Sequence, residues 1–181
     1  MKGAITITAY KNIKLIQTSN NDEIEDTILK LGNDYRTTLP SIVKSKSNLL
    51  YIIKNEKTCS NIGMVCLYNI SDENKNAFID GFVIDKKYTN ELVYSLIQII
   101  IKCFTQMNLN KINALHINGN QHYTNLFNCL KFVQEGVLRS HIKINEKYYD
   151  ANIRSLLRHE FDRSYSSENK LQSMYMLEGF N

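Results

Sequence analysis

Asn120 to Phe132, NQHYTNLFNCLKF, runs without a break into Val133 to Asp150, VQEGVLRSHIKINEKYYD. The first stretch reads as a short amphipathic helix, Asn120 to Leu130. The second opens a closing pair of strands, Val133 to Ile144 and Lys147 to Leu157. A helix feeding a terminal hairpin fixes how the remainder of the chain is read.

Upstream, Lys111 to Ile117 (KINALHI) reads as a strand. Asn90 to Met107 reads as a long helix, with apolar residues at 92, 93, 96, 97, 100, 101 and 104. Asn48–Lys54, Ile62–Ile70 and Ala77–Asp85 form an antiparallel meander, separated by the polar turns Asn55–Asn61 and Ser71–Asn76, with Gly63 near the start of the second strand. Ile5–Tyr10 and Ile13–Thr18 open the chain as a strand or hairpin. Ser19 to Asp22 then supplies N-cap residues for a helix with the stripe Ile24, Ile28, Leu29 and Leu31, closing at Gly32. Residues 33–45 read as a second short helix or an ordered loop broken at Pro40. The element order is ββααβββαβαββ, one domain over residues 1–161. A polar, Ser-rich tail follows over 162–181, in which Met174 to Leu177 form an apolar cluster suited to docking on the body or a partner.

With 181 residues, 43% hydrophobic and 22% charged, the chain is long enough to bury a core and too apolar for wholesale disorder. A net charge of +4 with interspersed signs lacks the clustered basic face of a nucleic-acid binder. Cys59, Cys66, Cys103 and Cys129 are widely spaced without a C-x-x-C, so neither a zinc site nor a redox pair is expected, and Cys103 and Cys129 read as core thiols. MKGAITITAY lacks the apolar stretch of a secretory leader. The most apolar run, Leu92 to Phe104, falls short of the about 20 residues that span a bilayer. A cytoplasmic protein without metal, membrane or nucleic-acid partner is the expectation.

The motifs resemble those of the GNAT superfamily of acyltransferases, in the branch of ribosomal-protein N-terminal (RimJ/RimL-like) acetyltransferases. The pattern there is N-x-x-S/A-x-x-x-Y-x-x-x-G-F followed by x-x-E-G-x-x-R. Asn120, Phe132, Glu135, Gly136 and Arg139 fall in register, and Glu146 to Asp150 lies where the family carries G-x-Y-x-D. The resemblance covers about Ile13 to Phe161. It implies an α/β (α+β) fold with a central, mostly antiparallel, splayed sheet flanked by helices. It also implies acetyl-CoA or another acyl-CoA as co-substrate, an amine acceptor (a small molecule or a peptide N-terminus), and compatibility with a homodimer.

Family members end a strand in V-I-D-x-x-Y-[RQ]-x-x-G-x-[GA], where glycines bare backbone N–H groups to the pyrophosphate. Here the stretch is Val83-Ile84-Asp85-Lys86-Lys87-Tyr88-Thr89-Asn90-Glu91-Leu92, so the strand, aspartate and tyrosine match while both glycines are gone and Thr89 replaces the basic residue. Thr89 or Asn90 can cap the following helix, Lys86 and Lys87 can supply counter-charge, and Glu91 opposes a bound anion. The cofactor-binding positions implied are Phe82, Val83, Ile84, Lys87, Tyr88, Thr89, Asn90, Glu91 and Leu92. Asn120, Tyr123 and Phe127 follow from the second helix: Asn120 at the pantetheine arm, Tyr123 in place of a small residue, and Phe127 in place of the tyrosine that protonates the leaving thiolate. Lys131 replaces the glycine before Phe132.

Acyl transfer to an amine needs a base for the ammonium and a donor for the oxyanion. The resemblance gives the donor to the backbone N–H of Phe82 or Val83. The family's glutamate falls on Ile79, whereas Asp80 points to the other sheet face unless a β-bulge shifts the register. Asp80 is therefore either base or structural residue. His116, late in KINALHI, is either base, substrate contact or structural histidine. The leading reading is direct transfer of an acetyl group to a primary amine. A longer-chain or acyl-carrier-protein donor is the first alternative, and a catalytically silent binding or regulatory protein the second.

Overall fold

The computed structural model describes residues 6–10, 13–31 and 48–165. The reading of residues 33–45, the closure at Gly32 and the cluster at Met174 to Leu177 lie outside the described residues. The chain divides into two compact units, Met1–Ile70 with Ile79–Ile101, and Ser71–Phe78 with Lys102–Asn181.

The first unit contains β1 (Thr6–Tyr10), β2 (Ile13–Thr18), α1 (Asn21–Lys30), β3 (Leu49–Asn55), most of β4 (Ser60–Ser71), the later half of β5 (Asn76–Val83), and α2 (Thr89–Thr105) as far as Ile101. Its strands lie in the order β1-β2-β3-β4-β5, and β1 to β4 pair antiparallel in succession. The opening pair is thus a hairpin, as its two β-branched runs indicate. Tyr51, Ile52, Ile53, Met64, Val65, Cys66 and Leu67 have no exposed surface, so β3 and β4 are buried on both faces.

Asn20 caps α1 by accepting the Asp22 amide at 3.0 Å, with Asp22 and Glu23 placed against the positive helix end. The inward face of α1 carries Ile24, Thr27 and Leu31. Leu29 is 64% exposed, which corrects the expected stripe, because five residues from Ile24 is more than one turn. Buried Thr27 donates its hydroxyl to Glu23 O (2.8 Å) and accepts Asn61 Nδ2 (3.1 Å), which ties α1 to β4 without an unsatisfied group. α2 buries Leu92, Val93, Leu96, Ile97, Ile99 and Ile100, with Ile99 rather than Ile101 completing the stripe. Each such side chain contributes about 1.5–3 kcal/mol of burial.

The second unit holds β6 (Lys111–Ile117), α3 (Gln121–Cys129), β7 (Val133–Ile144), β8 (Lys147–Leu157) and α4 (Arg158–Tyr165), with strand order β5-β6-β8-β7. β6 runs parallel to the start of β5 over three pairs, Asn76 to Phe78 against Lys111 to Asn113, and antiparallel to β8 along its whole length. β7 and β8 pair around a turn in which Asn145 and Glu146 both have positive φ. The Glu135-Gly136 step is a β-bulge in that pairing. Glu135 lies over it, bonded to Lys111 Nζ (2.8 Å) and Ser155 Oγ (2.6 Å). The E-G of the motif therefore pins β7 to β8 and β6.

α3 ends with Lys131 at φ +64°, where the resemblance has glycine. Phe132 N bonds Phe127 O (2.8 Å) and Lys131 N bonds Asn128 O (3.0 Å), the paired carbonyl caps of a left-handed helix end. The expected strand pair closes at Leu157 as read. Helix α4 continues past it into the polar stretch as far as Tyr165: Glu160 accepts the Leu157 amide (2.9 Å), Phe161 stacks on Phe104 at 4.7 Å, and Tyr165 donates to Leu130 O (3.2 Å).

Candidate active site

In the first unit the chemistry gathers at β5 and the start of α2. A Cβ added to Gly81 would lie 2.7 Å from Leu92 Cδ1, so Gly81 sits directly against α2. Ile79 shares that face, fully buried, and Asp80 faces the other way. Asp80 shares its surroundings with Cys66 and Tyr68 of β4, whose ionisation its charge opposes. It is 9% exposed, and its Oδ1 accepts the Gly81 N–H at 2.8 Å. Burial pushes its carboxyl up to about 8, against the smaller opposing pull of the Gly81 amide. Burial likewise raises Cys66 and Tyr68, with the Asp80 charge adding to both. Burial thus favours the protonated, neutral form of the Asp80 carboxyl.

Ile84 N bonds Ile62 O at 3.0 Å. Amides alternate along a strand, so the Val83 N–H points away from β4. Phe82 is 3% exposed, and Val83 and Ile84 are half-buried. The stretch that replaces the glycine loop is a 3-10 turn, Lys86–Tyr88, leading directly into α2. Asp85 caps it, accepting the Lys87 N–H on its side chain (3.0 Å) and the Tyr88 N–H on its carbonyl (3.0 Å). Its carboxylate is held below its usual range, first by the Lys87 amide and then by the Lys87 ammonium 3.2 Å away. Thr89 donates its hydroxyl to Lys86 O (2.6 Å) instead of capping α2, and its own amide also bonds that carbonyl. Asn90 is exposed, Leu92 is buried, Tyr88 is half-buried under Lys87, and Glu91 carries a buried Oε2 with no hydrogen-bond partner among the described residues. Much of the N–H array that glycines would have bared is thus satisfied internally.

In the second unit, Asn120 caps α3 by accepting the Tyr123 amide (3.3 Å). Tyr123 and Phe127 are buried, and both rings stack on His116, with centroids at 6.1 and 6.0 Å. His116 is 4% exposed; its Nδ1 meets Ile117 O at 3.1 Å and its Nε2 has no partner among the described residues. Burial lowers its pKa, the bond to Ile117 O works against that, and the charge of Arg154 lowers it further. Phe127 is packed between His116 and Phe132 and carries no hydroxyl to protonate a thiolate. His122 sits edge-on to Tyr123.

Four residues given no site role in the sequence lie beside Asp80 or His116: Cys66, Tyr68, Asn152 and Arg154. Each becomes a neighbour through cross-strand register, which no local pattern displays. Among the described residues no group of three His, Cys, Asp or Glu side chains could hold a metal ion, and no helix is long and apolar enough to cross a membrane.

No family model matches the chain. A curated relative, the uncharacterized N-acetyltransferase YoaA of Bacillus subtilis, is 23% identical over 140 residues, covering 77% of this chain and 76% of its own. The ribosomal-protein-S5-alanine acetyltransferase of Vibrio fischeri superposes with a TM-score of 0.70 at 16% identity, over 85% of this chain and 97% of that one. A mutant form of the spermidine/spermine N-acetyltransferase SpeG from Vibrio cholerae does so at 0.69 and 17%, over 86% and 99%. The two solved structures agree on the fold and differ in what their names say they acetylate.

Proposed function

We propose that this chain, which has the fold of the GNAT acetyltransferases, moves an acetyl or other acyl group from an acyl-CoA to a primary amine. The observation that carries the reading is Asp80, a buried carboxyl on β5 with its pKa raised to about 8. Ionised Asp80 takes a proton from the substrate ammonium. The freed amine attacks the thioester carbonyl carbon, forming the C–N bond and an oxyanion. Val83 N–H, the amide pointing away from β4, suits that oxyanion better than Phe82 N–H. Collapse breaks the C–S bond, the nitrogen loses its second proton, and the products are amide, free thiol and one proton. Of the two catalytic positions expected, we assign the base to Asp80 for its buried carboxyl, on the face opposite Ile79, the position where the resemblance puts the family's glutamate.

A base that ionises near 8 must be deprotonated to work. Transfer of acetyl from acetyl-CoA to a panel of primary amines, followed by thiol release, should therefore rise in kcat/KM through about pH 8 and level off above it. A profile already flat between pH 6 and 9 would remove Asp80 from the role. Binding of acetyl-CoA without turnover on any amine would favour the catalytically silent reading.

The capped turn favours one variation, a donor gripped less by its nucleotide end, such as an acyl carrier protein. Asp85→Ala would free the Lys87 amide and ammonium together. It should tighten acetyl-CoA binding by roughly 2–5-fold, since a carboxylate leaves the positive helix end. Unchanged or weaker binding, measured by calorimetry, would mean that phosphates do not approach this turn.

A further inference from the structure

β6 and β8 pair so that His116 lies directly opposite Asn152 and Ala114 opposite Arg154. Residues two apart on a strand share a face, so His116, Asn152 and Arg154 project from the same side of the sheet. Directly opposed Cβ atoms stand about 5 Å apart and diagonal ones about 7 Å. All three side chains are at least nine-tenths buried, at 4%, 5% and 6% exposure. On each, one polar atom has no hydrogen-bond partner among the described residues: His116 Nε2, Asn152 Oδ1 and Arg154 Nε. Buried polar groups are ordinarily paired, so three orphans on one face form a pattern that calls for a ligand.

The chemistry of the three atoms is specific. With Nδ1–H donated to Ile117 O, His116 is the neutral tautomer and offers a lone pair at Nε2. Asn152 Oδ1 is a second acceptor, and the Nε–H of Arg154 is a donor. Arg154 spends its other nitrogens on Asn128 Oδ1 (2.6 Å), Phe132 O (3.3 Å) and Gln134 Oε1 (3.3 Å), all of them uncharged. Among the described residues its positive charge is therefore not neutralised, and it already disfavours a proton on His116. Two acceptors beside a donor suit an N–H and C=O in one planar group, and the unpaired cation repels an ammonium. Tyr123 and Phe127 of α3 both stack on the His116 ring, so a ligand reaches this face alongside α3.

We propose that the His116–Asn152–Arg154 face is a binding site for a neutral amide, and that it selects against cationic polyamines. Such an amide occurs either in a peptide acceptor or in the pantetheine arm of the donor. The assignment to donor or acceptor rests on the acyl-transfer reading, whereas occupancy of the site does not.

The test is imidazole nitrogen NMR of the full chain, with separate additions of desulfo-CoA, an alanyl peptide amide and spermidine. The expected result is an upfield shift of His116 Nε2 with one of the two amide-bearing probes and none with spermidine. A shift with desulfo-CoA alone assigns the face to the donor, and one with the peptide alone assigns it to the acceptor. Silence of Nε2 with both amides, or a shift with spermidine of equal size, overturns the proposal. Asn152→Asp, nearly isosteric and placed near Arg154, should raise spermidine affinity about tenfold relative to the responsive amide probe. An unchanged ratio in a variant with wild-type thermal stability also overturns it. Loss of acetyl transfer with the Nε2 shift intact would count against the transfer reading alone.

Discussion

Asp80→Asn should lower kcat/KM by about 10²–10⁴-fold at pH 9 while making the protein more stable there. Asparagine keeps the acceptor oxygen for the Gly81 N–H, so the local geometry survives and only the exchangeable proton is lost. Asp80 ionises near 3.8 in the unfolded chain and near 8 in the fold. Between those values the native state holds one more proton, so its stability falls as pH rises through the window and levels off above it. The variant escapes that loss. Its advantage should grow from almost nothing at pH 4 to on the order of 5 kcal/mol at pH 9. Urea midpoints of both proteins across pH 4–9 would measure the difference. Parallel curves would mean that Asp80 titrates normally, and the proposed base would lose its physical basis.

Gly63→Ala is expected to be the most damaging small substitution among the glycines described. An added Cβ would lie 2.3 Å from Phe82 O, 3.0 Å from Val83 Cγ1 and 3.2 Å from Ile53 Cδ1. The carbonyl belongs to β5 and cannot move without displacing the Phe82–Val83 backbone. We expect a stability loss of about 3 kcal/mol or more, with a raised KM for acyl-CoA in whatever remains folded. Gly81→Ala should cost less, about 1 kcal/mol, because its Cβ meets Leu92 Cδ1 and Leu96 Cδ2, the flexible ends of side chains. Chemical denaturation of the two variants ranks them. A Gly81 variant weaker than the Gly63 one would show that the strand pair tolerates strain and the helix contact does not.

The fold was legible because its local signals agreed with one another. Within the run from Asn120 to Ile144 the helix with its Asn120 cap and the strand pair could be read, whereas the left-handed stop at Lys131 and the Glu135-Gly136 bulge show only in the structure. Helix α4 was not legible: Phe161 and Tyr165 are its only buried residues, in an otherwise polar stretch. At the site, sequence named Asp80 and His116 but left the role of each open. Gly81 against Leu92 shows that Ile79 and Gly81 face α2 and that Asp80 faces the other way, and the base role of Asp80 stays a proposal. Asn152 and Arg154 drew no attention in sequence, since only the β6–β8 register sets them beside His116. The missing glycines did signal an altered loop, although the turn capped by Asp85 becomes visible only in three dimensions.

The most direct test of acyl-CoA use is calorimetric titration of the protein with acetyl-CoA, alongside acetyl-pantetheine lacking the 3′-phospho-ADP. The account predicts saturable binding of acetyl-CoA that weakens, without vanishing, when the nucleotide is removed. Absence of binding by any coenzyme A species would contradict it.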